Sequence, residues 1–205
     1  MPTNLSRVSE STRDRILDAA ADVMTRLGLA KATTKEIARA AGCSEALLYK
    51  HFREKEEIFL GVLKHRLPNL TATLAALPPQ AGTGSVRERL IEVVDVAVRF
   101  YQGGLAIGSS MLGDPTLVRR HREWLLGRGV GPQLANRMLA DYLRAEQQAG
   151  RLATGADADA AAALLLGASY QRAFLVRLMG EEVLTPPADA FARSVVDASL
   201  RGLDP

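Results

Sequence analysis

The chain has 205 residues, enough for one or two domains with real cores. Apolar residues make up 47% of it, which excludes a disordered chain, and a net charge of +3 excludes a general polycation. The charge is uneven: residues 1–66 carry 12 Lys and Arg against 9 Asp and Glu, residues 67–205 carry 14 of each, and all five lysines fall between Lys31 and Lys64. A polyanion-facing module joined to a neutral one fits that asymmetry, as does a solvated surface. The single cysteine, Cys43, excludes an internal disulfide framework and suits a reducing cytosol. The start, Met1 to Thr12, is polar, and the longest apolar run, Ala160–Tyr170, is too short to span a bilayer. A cytoplasmic protein without membrane contact is the expectation.

Helical spacing runs almost throughout, so the expected fold class is all-α with about ten helices. In Arg13–Leu27, Ile16, Leu17, Ala20, Val23, Met24 and Leu27 form one stripe, and Gly28 suits a C-cap. Thr33-x-x-Glu36 has the form of a capping box and opens a short helix to Ala41. Gly42 breaks it, and Ser44 can cap a second short helix to about Phe52. A fourth begins near Lys55, with Pro68 ending or kinking it. Leu77–Ser85 has the composition of a loop. Val86–Tyr101 reads as a helix broken by Gly103-Gly104, and Leu105–Leu112 as a short apolar segment. Asp114-Pro115 opens a helix through Trp124. A helix through Leu134, Met138 and Tyr142 follows, then one from Asp157 to about Met179, and a last one after Thr185-Pro186-Pro187.

Thr34–Phe52 carries the functional argument. Two short helices crossing steeply need a small residue where they touch, which Ala38 supplies, and a turn residue tolerant of positive φ, which Gly42 supplies. Ile37, Ala41 and Leu48 would plug the pair onto the first helix. Ser44, Glu45, Ala46 and Leu47 then start a helix that can enter a major groove, and Tyr49, Lys50, His51 and Lys55 bring phosphate donors. An ordinary core hairpin is the bland alternative. Against it stand the few apolar anchors and many hydrogen-bonding side chains of the second helix.

The run Arg15-Ile-Leu-Asp-Ala-Ala, then Gly28-Leu, Ala32-Thr-Thr, Ile37-Ala-x-x-Ala-Gly, Leu48-Tyr-x-His-Phe52 and Lys55-Glu-x-x-Phe59 resembles the signature of TetR/AcrR regulators. The resemblance implies a three-helix helix-turn-helix domain (9–56), a connecting helix (about 55 to 77) and a helical effector-binding and dimerisation domain (78–205). It implies a homodimeric repressor, released from a palindromic double-stranded operator by a small, largely apolar effector. By position, Thr34, Tyr49, His51 and Lys55 resemble phosphate contacts, while Ser44, Glu45, Ala46, Leu47 and Lys50 match the groove-facing set. Glu45 departs from the pattern. It suits a helix start, and it could instead accept from a cytosine amino group.

Cys43 invites a redox reading, but no second cysteine exists to resolve a sulfenate, so a small apolar slot is the expectation. The small-residue face Ala160–Ser169 could build a dimer interface from Leu164, Gly167 and Ala168 with Phe191, Val195 and Ala198 or be a helix buried within one monomer, and the family resemblance favours the dimer. Phe100, Tyr101, Met111, Leu112, Trp124, Leu125, Met138, Tyr142, Tyr170 and Phe174 could line an effector pocket or be plain core. His121, among Arg119, Arg120 and Arg122, lacks the convergent ligands of a metal site. No catalytic motif stands out, and the chain is read as a non-enzyme without cofactor or metal. A helical small-molecule-binding protein or an enzyme that does not use the segment for DNA is the alternative.

Overall fold

A computed structural model describes residues 4–203, with side chains from Thr12 onward. Residues 1–3 of the polar start and the last two residues of the 78–205 domain lie outside that range. The described residues form ten α-helices and three short 3-10 turns, with no strand. They fall into two compact units, Met1–Leu67 with Gly103–Arg128, and Pro68–Gln102 with Gly129–Pro205.

The first unit is built on α1 (Asn4–Lys31), which begins earlier than its stripe predicts and continues past Gly28. Gly28 is not a terminus but a break, at φ 75° and ψ 158°, a backbone region open only to glycine. The break frees the Ala30 N–H, which donates to Ser110 Oγ at 3.1 Å. A side chain on Gly28 would collide with that same hydroxyl at 2.5 Å. Next come α2 (Thr34–Ala40), α3 (Glu45–His51) and α4 (Lys55–His65). Their core is Ile16, Leu17, Ala20, Val23 and Met24 of α1 against Ile37, Leu48, Ile58, Phe59 and Val62, joined by Ile107 from the distant segment. Arg66, just past α4, ties back to Asp14 at 2.9 Å and Asp18 at 2.6 Å. The unit is completed by the 3-10 turn Ser109–Met111 and by α7 (Pro115–Arg128), whose start Asp114 caps by accepting from Thr116 N and Leu117 N.

The second unit holds α5 (Leu70–Ala75), α8 (Gln133–Gln148), α9 (Ala158–Met179) and α10 (Ala188–Leu200), with most of α6 (Val86–Gly108). Its core joins Leu70, Leu74, Leu90, Val93, Val94, Leu139, Leu143, Leu165 and Val196. The run 55–77, expected as one connecting helix, is two helices: proline removes the N–H that would continue α4, and Asn69 caps α5 instead. The expected break at Gly103-Gly104 is a correction in the other direction, because α6 runs straight through it. Gly103 serves close approach: a Cβ there would lie 2.4 Å from Leu67 Cδ2.

Candidate DNA interface

The helix-turn-helix forms by local chemistry. Thr33 accepts from the Glu36 N–H at 3.1 Å while Glu36 Oε2 accepts from the Thr33 N–H at 2.9 Å, a complete capping box. The Thr33 hydroxyl, which donates to Glu36 Oε2 at 2.8 Å, and then the Thr33 N–H hold the Glu36 carboxyl below its usual value. Gly42 turns the chain at φ 62°, with open space where a side chain would sit. Ser44 caps α3 by accepting from the Leu47 N–H at 3.2 Å. Ile37, Ala38, Ala41 and Leu48 are buried, so one side of each short helix is fixed to α1. Truncating a Leu as buried as Leu48 costs about 2–5 kcal/mol.

The other side of α3 is open. Ser44, Glu45, Ala46, Tyr49 and Lys50 are exposed, while Leu47 and His51 are half-buried. Thr34 joins this face from α2: its hydroxyl donates to Glu45 Oε1 at 3.1 Å and lies 3.2 Å from the Tyr49 hydroxyl. Ser44 caps α3, and the Glu45 carboxylate bridges α3 to α2. Lys55 is placed differently from the rest. It is half-buried, and its ammonium donates to the Leu29 carbonyl at the end of α1. Burial pushes that amine below its usual value. Cys43 is a half-buried free thiol packed against the same core.

A support behind α4 was not visible in the sequence. Glu54, immediately before α4, accepts from the Trp124 indole N–H and from Arg128 at 2.7 Å. Glu56 holds Arg120 with both carboxylate oxygens, at 2.8 and 3.2 Å. His121 lies between Phe59 and Trp124, stacked on the indole at 6.4 Å.

Of the ten pocket candidates, Met111, Leu112, Trp124 and Leu125 belong to the first unit, and the other six to the second. In the second unit Phe100, Tyr101 and Tyr170 form an edge-to-face chain with centroids 5.5 Å apart. Met138 packs against the core, Tyr142 is inside it, and Phe174 is exposed. A cleft of about 310 Å³ that the sequence did not suggest lies between α6, α9 and α10, among Asp95, Arg99, Gln102, Arg172, Glu181 and Phe191. Leu164 and Gly167 are exposed on α9, with Phe174 and Leu178 continuing their stripe; Ala168 is half-buried. On α10, Phe191 and Val195 are half-buried against the core and Ala198 is exposed. Among the described residues no helix is long and apolar enough to cross a membrane.

A short two-helix motif pinned to a third helix, with one polar face left open, defines a helix-turn-helix DNA-binding protein. Residues 16–62 match the family model for bacterial regulatory proteins of the tetR family, and residues 128–202 match the C-terminal domain of AefR-like transcriptional repressors. An uncharacterised HTH-type transcriptional regulator of Mycobacterium tuberculosis is 45% identical over 151 residues, covering 59% of this chain and 74% of the relative. The HTH-type regulator YvkB of Bacillus subtilis, also uncharacterised, is 23% identical over 199 residues, covering 94% and 97%. Among solved structures, a chain described as a TetR-family regulator from Mesorhizobium loti superposes with a TM-score of 0.72 at 18% identity, covering all of both chains. The regulator FadR from Bacillus subtilis, solved with stearoyl-CoA, gives 0.63 at 19% identity, covering 92% and 97%. The chain belongs to the TetR family of transcriptional regulators.

Proposed function

We propose that this regulator is a repressor that grips a palindromic operator as a homodimer and is released by a small molecule bound in its second unit. The observation that carries the DNA reading is the two-sidedness of α3: Leu48 is wholly buried while Ser44, Glu45, Ala46, Tyr49 and Lys50 are exposed together. Ser44, Ala46, Leu47 and Lys50 are assigned to the groove, Thr34, Tyr49 and His51 to phosphates, and Glu45 to joining α3 to α2 through Thr34. Lys55 is assigned to fastening α4 on α1, from its hydrogen bond to Leu29.

The dimer reading is supported by the apolar stripe of α9, where Leu164 is 68% exposed beside Gly167. A leucine that open is expected to be covered by a second copy, and two-fold symmetry matches two half-sites. For the effector, the aromatic chain Phe100–Tyr101–Tyr170 supplies apolar walls, and a solved family neighbour carries an acyl-CoA. The test is a band-shift of the chain on the DNA upstream of its own gene. Binding that weakens steeply with salt is expected, and no shift at low salt overturns the reading. Sedimentation of Leu164→Glu tests the dimer: wild type should run as a dimer and the variant as a monomer.

A further inference from the structure

The first unit contains a cavity of about 100 Å³, lined by Leu29, Lys55, Glu56, Met111, Leu117, Arg120 and His121. It lies apart from the exposed face of α3 and entirely within one unit. Three of its groups are unusual. His121 Nδ1 is buried with no hydrogen-bond partner. The half-buried Lys55 ammonium bonds only the neutral Leu29 carbonyl, and among the described residues it has no ion pair. Glu56 is already neutralised by the two-pronged bond to Arg120.

Charge decides what such a cavity holds. With Arg120 and Glu56 cancelling, Lys55 leaves it one positive charge, and burial keeps His121 neutral by lowering it from 6.5. Glu36, the other carboxylate whose field reaches Lys55, is held by Thr33. A half-buried cation without a counter-charge gains from an anion, and so does the neutral imidazole in the tautomer that carries its proton on Nδ1, which then has an acceptor to bond. Leu29, Met111 and Leu117 add apolar wall. The volume suits a few waters or one molecule of about that size.

We propose that this cavity is a binding site for a short organic carboxylate, its oxygens on Lys55 Nζ and His121 Nδ1 and its short tail against Leu29, Met111 and Leu117. The ligand would sit at the first residue of α4, next to the helix-turn-helix. The site is separate from the effector site proposed for the second unit.

Trp124, the single tryptophan of the chain, stacks on His121 and reports on the cavity. The experiment titrates the full chain, free of DNA, with sodium propionate and follows indole fluorescence at fixed ionic strength. Propionamide, chloride and dimethyl phosphate are the comparison arms. A saturable change with propionate alone is expected, weakened at least tenfold in Lys55→Met and His121→Phe. Equal curves with propionamide or chloride overturn the proposal. So does a stronger response to dimethyl phosphate, which would make the cavity part of the DNA face. Should a variant fail to fold, the ring ¹⁵N shifts of His121 in the wild type decide: no movement on adding propionate overturns the site.

Discussion

The indole N–H of Trp124 donates to Glu54 Oε1, and the Arg128 guanidinium lies over the same indole, 4.1 Å from its centroid, while bonding the same oxygen. Glu54 stands immediately before α4, the helix that carries Lys55. The last turn of α7 therefore holds the start of α4 by a hydrogen bond and a stacked cation together. Trp124→Phe keeps the ring and removes the donor. A hydrogen bond to a charged acceptor is worth about 1.5–3 kcal/mol, so urea unfolding should show a loss of about 2 kcal/mol. Operator affinity, measured separately, should fall for all sequences alike, because α4 is loosened and no base contact is changed.

His121 gives a pH prediction with a definite sign. Burial between Phe59 and Trp124 depresses its imidazole from 6.5, partly offset by the Glu56 charge, with Lys55 and Arg120 nearby. Below 6.5 the unfolded chain takes up a proton that the folded chain resists, so stability falls as pH drops toward the folded value and then levels off. His65 is lowered too, by burial and by its Arg13, Lys64 and Arg66 neighbours, and acts in the same direction. The Glu36 carboxyl, lowered from 4.5, acts only in more acidic solution. Urea midpoints between about pH 7 and 5 should therefore fall in wild type, less in His121→Phe, and least when His65→Gln is added.

Glu146 is the buried centre of the second unit. Its side chain is 0% exposed, yet it accepts from the Gly82 N–H at 3.1 Å and from Arg151 Nη2 at 3.1 Å, with the Arg151 Nε at 2.8 Å and Arg89 at 3.7 Å as ion-pair partners. Arg151 and Arg89 in turn bond Gly84 O and Thr83 Oγ1, so one carboxylate secures the loop before α6. Burial, with Glu146 beside it, pushes the Tyr142 phenol up to about 12. Glu146→Ala leaves two arginines facing a vacated acceptor, and breaking such a pair costs about 3–5 kcal/mol. Chemical denaturation should show that loss, and Glu146→Gln, which keeps an acceptor but no charge, should fall between the two.

These supports also mark how far the sequence could be read. Elements whose cause is local were legible: the Thr33–Glu36 box, the Ser44 cap, the Gly42 turn, and Asp114 and Asp157 at the starts of α7 and α9. Each depends on residues within four positions, which periodicity and capping rules reach. Gly103-Gly104 misled because glycine signals a break locally, whereas Gly103 is there to admit Leu67. Ser110 on Ala30 and Trp124 on Glu54 join residues 70 or more positions apart. Hydrophobic stripes do not encode such pairings. Of the α3 positions named from the sequence, Ser44, Glu45, Ala46, Tyr49 and Lys50 are exposed and Leu47 and His51 half-buried, while the inward bond of Lys55 to Leu29 and the bond of Glu45 to Thr34 were not foreseen.

That last bond sharpens the question of Glu45. Its carboxylate accepts from Thr34 on the face assigned to DNA, where it would lie near phosphates of like charge. If its task is to join α3 to α2, Glu45→Gln keeps an acceptor for Thr34 and removes the repulsion. Affinity for all sequences should then rise about fivefold at low salt, and the gain should shrink as salt screens it. If Glu45 instead accepts from a cytosine amino group, the same change should alter preference at one base pair by about 1–3 kcal/mol and leave the other positions alone. Titrating wild type and Glu45→Gln against an operator and its single-base variants at two salt concentrations separates the two. The bond to Thr34 favours the uniform rise, since it already occupies one carboxylate oxygen and turns it toward α2.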